Sequence, residues 1–137
     1  MRLWHTKLIK VLPREQLVAQ WRELSAIACA IQKNGTPNHI LVNFVTEYGW
    51  NHFISYAFYV RQEMTARGYR TMNSVWDKIT SLANNDYNIL PLNEVYSNKM
   101  DSTYFAICHY NLLEKYLCGG IKEEDWKKIE EVDYYVE

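Results

Sequence analysis

The sequence has 137 residues, of which 48% are hydrophobic, and a formal net charge of −1. This length and apolar content are typical of one globular domain, so we expect a single domain over residues 1–137. No run approaches the roughly 18 apolar residues of a membrane span. The first residues also lack the charged-then-apolar layout of a signal peptide. We therefore expect a cytoplasmic protein that does not contact a membrane.

The first predicted helix covers about residues 13–33. Pro13 stands where a helix can begin, and Asn34 with Gly35 forms a stop signal, with Pro37 beyond it. Apolar residues recur between these limits at spacings of three and four. They are Leu17, Trp21, Leu24, Ala28 and Ile31.

Two more long helices follow from the same patterns. An apolar stripe that starts at Trp50 and stops at Gly68 predicts a helix over about residues 50–67. The capping residues DST at 101–103 precede a third helix through YFAICHYNLLEKYL, which Gly119 ends.

The segments between the helices carry weaker patterns. NHILVNFV suits a strand or a buried helical turn equally well, NSVWDKITSL has a short apolar pattern, and NNDYNILPLN is rich in turn residues. Because no alternating strand pairs are visible, we predict an all-α fold, a compact single domain of three main helices with long connecting loops.

Cysteine and histidine spacing argues against a metal site. The three cysteines form no CxxC pair, and the four histidines are scattered along the chain. Such spacing is typical of reduced thiols in a cell interior. We predict no disulfide and no bound metal.

Charge is distributed unevenly along the chain. Residues 1–80 hold ten Lys and Arg against five Asp and Glu, whereas residues 81–137 hold five against eleven. This asymmetry fits an anion-binding face paired with an acidic tail, and it fits two mixed surfaces equally well.

Arg22 and Glu23 lie side by side in QLVAQWREL, in the middle of the first predicted helix. On a helical wheel with Leu17 at zero, Arg22 lies about 140° away and Glu23 about 120° away on the other side. Neither belongs to the core stripe, so both are either solvated surface charge or functional groups with a partner. The N-terminal α-amine is a candidate partner because an α-amine has an ordinary pKa near 8 and is a ready nucleophile for a Schiff base.

The motifs MRLW and QLVAQWREL, a second helix ending in RGY and a third containing LLEKY resemble the pyrimidine-dimer DNA glycosylase and AP lyase family of the phage endonuclease V type. The similarity is strongest to a bacterial branch whose members begin with MRLWH and carry an LPRxQL segment. These motifs span most of the chain.

The resemblance implies a three-helix protein that binds ultraviolet-damaged duplex DNA, breaks the glycosidic bond at a cyclobutane pyrimidine dimer and cuts the strand by β-elimination. It assigns the nucleophile to the α-amine of Met1 and the essential acid to Glu23, with no metal or cofactor. It places Arg2 and Arg22 on the DNA. His39, in PNHIL after the first helix, is either a family histidine near the site or a structural one.

Three departures from the family pattern bear on these expectations. Arg2 is large, so we expect Met1 to be retained and to supply the amine. Ala26 stands where the family motif has a basic residue. The C-terminal EEDWKKIEEVDYYVE is acidic rather than basic, and an acidic tail repels phosphate.

Two alternatives therefore stand beside the glycosylase hypothesis. One is a catalytically inactive member of the same fold that binds DNA or protein. The other is an amine-dependent lyase that acts on abasic or other damaged sites.

Overall fold

The computed structural model describes residues 1–136 and is helical throughout, with no β-strand among them. The all-α prediction is therefore confirmed. The α-helices of this range are α1 (Arg14–Asn34), α2 (Trp50–Ala66), α3 (Asn73–Thr80), α4 (Ser102–Leu117) and α5 (Glu123–Glu130). Short 3₁₀ helices lie at Thr6–Val11, Asn43–Glu47, Ser81–Ala83 and Leu92–Glu94. None of the helices in the described range has both the length and the apolar character that crossing a bilayer requires.

The three predicted helices are present as α1, α2 and α4. The apolar stripe of α1 is buried, and the helix ends at Gly35, which adopts a left-handed conformation (φ 77°) and donates its N–H to the Ile31 carbonyl at 2.8 Å. α4 begins after Asp101, whose side chain accepts a hydrogen bond from the Tyr104 N–H at 2.8 Å. The stop and cap signals in the sequence therefore set these helix ends.

The description of three main helices is not confirmed, because α3 and α5 are further α-helices of eight residues each. An eight-residue helix makes about two turns, so its apolar pattern is too short to separate a helix from a loop in the sequence. In α5 three acidic residues of the predicted tail, Glu123, Glu124 and Asp125, occupy the first turn, where the helix dipole favours negative charge. Trp126 and Ile129 of the same helix are buried.

A single cluster of buried apolar side chains connects the helices of the described range. α1 packs against α2 and α3, and α2 also contacts α3. The ambiguous NHILVNFV segment resolves as a turn followed by the 3₁₀ helix Asn43–Glu47, with Val42 and Val45 in the core. Its apolar residues therefore form a buried helical turn rather than a strand.

The N-terminal segment is held in the interior rather than at the surface. Leu3, Trp4 and His5 are buried, and the 3₁₀ helix Thr6–Val11 that follows packs against α2 and α5. The His5 Nε2 lies 2.8 Å from the Met100 carbonyl, and its Nδ1 accepts the Lys7 N–H at 3.1 Å. Because the carbonyl can only accept, Nε2 carries the proton and the ring is neutral in this arrangement. These contacts fix the start of the chain in the interior.

Candidate active site

A groove of about 580 Å³ runs along the exposed face of α1 and contains Glu23. Its floor and walls come mostly from α1, with Trp4 of the N-terminal segment and Lys115 of α4 completing them. The lining residues are Trp4, Arg14, Glu15, Gln16, Val18, Ala19, Arg22, Glu23 and Lys115. The groove therefore combines a partly buried carboxylate with cations from two helices.

The arrangement of the groove follows from helix periodicity. Residues four apart lie on the same face of a helix, so Glu15, Ala19 and Glu23 form one row and Arg14, Val18 and Arg22 form the next. The small Ala19 separates the two carboxylates of the first row, and Val18 separates the two cations of the second. This face of α1 therefore presents parallel rows of negative and positive charge.

Gln20 connects Glu23 with the N-terminal segment. Its side chain is fully buried, and its Oε1 accepts from the Trp4 N–H at 2.9 Å and the Tyr56 hydroxyl at 2.8 Å. Its Nε2 donates to the Arg2 carbonyl at 2.9 Å and to the Glu23 Oε2 at 3.2 Å. Because the Trp4 N–H can only donate, whereas the Arg2 carbonyl and the carboxylate can only accept, the orientation of this amide is determined.

Two buried tyrosines hold the same segment from the other side. The Tyr56 hydroxyl lies 2.6 Å from the Trp4 carbonyl, and the Tyr104 hydroxyl donates to the Leu3 carbonyl. Burial raises the pKa of Tyr56 and of Tyr104 well above the ordinary value. Both hydroxyls therefore stay protonated near neutral pH and remain available as donors.

The Gln20 network joins Glu23 to the backbone of Arg2, the residue that follows Met1. Met1 itself is 44% exposed, and the residue that follows it shares the Gln20 donor with Glu23. The guanidinium of Arg2 lies 5.7 Å from the centre of the Trp4 ring, a cation–π distance. The first residues of the chain are thus fixed along the part of α1 that carries Glu23.

The predicted DNA-binding residues are not all in one place. Arg22 is exposed and lines the groove. His39 lies beyond the end of α1, where its N–H donates to Asn43 Oδ1 at 2.8 Å and its Nδ1 accepts the Leu41 N–H at 3.3 Å. Within residues 1–136 its hydrogen bonds stay inside this turn, so the structure does not join His39 to the groove.

The acidic C-terminal part folds onto the N-terminal segment. Lys7 donates to the Tyr134 carbonyl at 2.6 Å and its Nζ lies 5.0 Å from the centre of that ring. The Tyr134 ring also meets the edges of His5 and lies against Phe105. This aromatic residue therefore packs within the protein, whereas the acidic first turn of α5 faces solvent.

Sequence reasoning missed three residues that build the site. Gln20 precedes Glu23 by three positions, a spacing that places two side chains next to each other on a helix, so this signal was available. Tyr56 of α2 and Lys115 of α4 come from distant parts of the chain, and no pattern in the sequence links them to Glu23. Among residues 1–136 no group of three or more His, Cys, Asp and Glu side chains is arranged to hold a metal ion.

These features define an all-helical protein with a carboxylate beside a fixed N-terminal segment, in a groove lined by cations. A family model described as pyrimidine dimer DNA glycosylase matches residues 1–77, which is more than half of the chain. The chain belongs to this family, as the motifs predicted. Its assignment to a bacterial branch stays a prediction. Comparisons with curated proteins and with solved structures give no match.

Proposed function

We propose that this protein is a DNA repair glycosylase with AP lyase activity on pyrimidine dimers, with the α-amine of Met1 as nucleophile and Glu23 as the acid–base group. The observation that carries the proposal is the Gln20 amide, which binds the Glu23 carboxylate and the carbonyl of Arg2, the residue next to Met1, through one nitrogen. Family membership supplies the substrate class.

The proposed chemistry begins at C1′ of the damaged nucleotide. The amine nitrogen forms a bond to C1′ while the glycosidic bond breaks, and the base leaves with the bonding electrons and takes a proton. The C1′–O4′ bond then opens, O4′ takes up a proton, and a protonated imine remains on the amine. The carboxylate of Glu23 stabilises the positive charge that develops on the sugar in the first step.

Strand cleavage follows from the same imine. Glu23 removes a proton from C2′, and the electrons of that C–H bond form a carbon–carbon double bond conjugated with the imine. The C3′–O bond breaks, and the 3′ phosphate leaves with its electrons. Both steps need the amine and the carboxylate next to one sugar. The two hydrogen bonds of Gln20 Nε2, to the Arg2 carbonyl and to Glu23, limit the distance between these groups.

DNA binding is assigned to the cations of the groove. Arg14, Arg22 and Lys115 line the groove together with Glu23 and are exposed. Arginine and lysine side chains neutralise phosphates and release counterions from duplex DNA. We include Arg2 in this set, since its guanidinium stands at the start of the N-terminal segment over Trp4. His39 remains a candidate contact of the turn beyond α1.

Borohydride trapping tests this function. Protein whose first residue is confirmed by mass spectrometry as Met1 with a free amine is incubated with duplexes containing either one pyrimidine dimer or one abasic site, in the presence of borohydride. The proposal predicts a covalent adduct with both duplexes and none with undamaged DNA. An adduct with the abasic duplex alone would make the protein a lyase for abasic sites. No adduct with either duplex would refute the amine mechanism.

A matched control separates the amine from other nucleophiles. One alanine added in front of Met1 moves the amine by about 3.8 Å along the chain and leaves every side chain in place. The proposal predicts a large fall in trapping for this extended protein at unchanged DNA affinity. Equal trapping by both proteins would contradict the assignment to the N-terminal amine.

A further inference from the structure

We infer that Gln20 is a positioning residue that sets the distance between the N-terminal amine and the Glu23 carboxylate. The inference rests on the proposed function, because it assigns Gln20 a role that acts through the Arg2 backbone and Glu23 rather than on the DNA itself. It concerns the two hydrogen bonds that Nε2 donates, to the Arg2 carbonyl and to Glu23.

The Gln20 amide is buried. Gln20 has no exposed surface, although a polar side chain on a helix face is ordinarily solvated. An amide without partners is costly to bury, and Gln20 avoids that cost because both N–H groups donate and Oε1 accepts the Trp4 N–H. Oε1 also shares the single Tyr56 hydroxyl hydrogen with the Trp4 carbonyl. Few other orientations can satisfy these contacts, so the side chain is rigid.

The oxygen and the nitrogen of the Gln20 amide bind different parts of the protein. Oε1 accepts from Trp4 and Tyr56, which anchors the chain to the core. Nε2 points the other way and joins the backbone next to the proposed nucleophile to the proposed acid–base group. An anchoring role alone requires the Oε1 contacts, so the Nε2 contacts carry the positioning role.

α1 is a rigid support for both Gln20 and Glu23. Gln20 and Glu23 are one turn apart in the middle of a 21-residue helix, so their separation is set by helix geometry. Residues 1–4 lie outside any helix and have no helical hydrogen bonds of their own. Side chains that bind their backbone hold them in position. A misplacement of about 1 Å between reacting groups can cost about 100-fold in rate. The Gln20 amide is therefore placed to control catalysis without contacting the substrate.

Gln20→Glu tests the inference because it retains an acceptor for Trp4 and Tyr56 and replaces the Nε2 donor by an oxygen. We expect kcat to fall about 100-fold with little change in KM. We also expect that, of the DNA molecules that have lost the base, a smaller fraction has its strand cut, because β-elimination needs the amine bound to C1′. Gln20→Met removes every hydrogen bond of the amide and should lower kcat at least as far.

Ser55→Ala is the matched control for a general loss of stability. Ser55 is also a fully buried polar residue, but it accepts the Leu90 N–H at 2.8 Å, away from the N-terminal segment. We expect this variant to unfold at a lower temperature while kcat and the cleaved fraction stay unchanged. A kcat for Gln20→Glu that is no lower than that of Ser55→Ala, at similar thermal stability, would overturn the inference.

A measurement on the wild-type protein covers the case in which the Gln20 variants do not fold. NMR of the Gln20 side-chain amide is compared between the free protein and its reduced adduct with abasic DNA. We expect slow hydrogen exchange in both and a shift of the Nε2 hydrogens on adduct formation, because the Arg2 backbone and Glu23 then face the sugar. Unchanged resonances would overturn the inference while the adduct itself sustains the proposed function. If the wild-type protein forms no adduct, both fail.

Discussion

Replacing Lys115 with alanine removes the cation that α4 contributes to the groove. Lys115 lines the same groove as Arg22 and Glu23 and is exposed, so the substitution leaves the core intact. The family model matches residues 1–77, so Lys115 lies outside the matched range. If the groove binds a DNA strand, Lys115 neutralises one of its phosphates.

The size of the effect follows from counterion release. Each phosphate neutralised contributes about −0.9 to the slope of log K against log salt concentration. The three cations of the groove, Arg14, Arg22 and Lys115, then contribute about −2.7, and the Lys115→Ala protein should retain about −1.8 of this. Over a fourfold rise in salt the wild type should lose about 3.5-fold more affinity than the variant.

Fluorescence anisotropy with a labelled abasic duplex, titrated at several NaCl concentrations, measures both slopes. Lys33→Ala is the matched control, because Lys33 is equally exposed and lies in the last turn of α1, about 16 Å along the helix from Arg22. Lys33→Ala should keep the wild-type slope. A Lys115→Ala slope equal to that of Lys33→Ala would refute the assignment of the groove to DNA.

Three further predictions concern the acid–base group, pH and the buried hydroxyls. Glu23→Gln should lower the rate of strand cleavage by about 10² to 10⁴ at unchanged DNA affinity, whereas Glu15→Gln in the same groove should not lower it. Burial lowers the pKa of the His5 ring below 6.5. The contribution of His5 to the free energy of unfolding is therefore complete above pH 6.5 and is lost as the pH falls below that value. NMR titration of the ring should give a midpoint below 6.5, and a midpoint above it would contradict the neutral buried ring. Tyr56→Phe should lower the free energy of unfolding in urea by about 2 kcal/mol, because the buried Trp4 carbonyl and Gln20 Oε1 lose the one hydroxyl hydrogen that they share. Tyr59→Phe, whose hydroxyl donates to the Leu90 carbonyl in a partly exposed place, should cost less than about 1 kcal/mol. Equal losses in the two tyrosine variants would contradict the importance of burial.

The parts of the fold that the sequence predicted are those with local signals. Gly35 ends α1 because it reaches the left-handed region without strain, and the residues before it repeat at helical spacing, so helix and boundary could both be recognised. Asp101 at the start of α4 is a similar case. α3 and α5 escaped recognition because their stability comes from packing, with Ile79 and Trp126 buried against other elements.

The site residues also divide into those with a local signal in the sequence and those whose position depends on packing. Glu23 could be singled out because a charged residue off the core stripe, together with the motif around it, indicates function. Gln20 and Lys115 could not be singled out in this way. The contact of Gln20 with the Arg2 carbonyl depends on where the N-terminal segment lies, and the position of Lys115 depends on how α4 packs. Long-range contacts of this kind have no periodic signature in one sequence.

The most direct test of the account is the location of the borohydride adduct. The trapped complex is digested with nuclease and protease, and the modified peptide is identified by mass spectrometry. The account predicts that the sugar remnant is attached to the α-nitrogen of Met1. An adduct on the side chain of Lys115, a primary amine that lines the same groove as Glu23, with an unmodified Met1 peptide, would contradict this assignment.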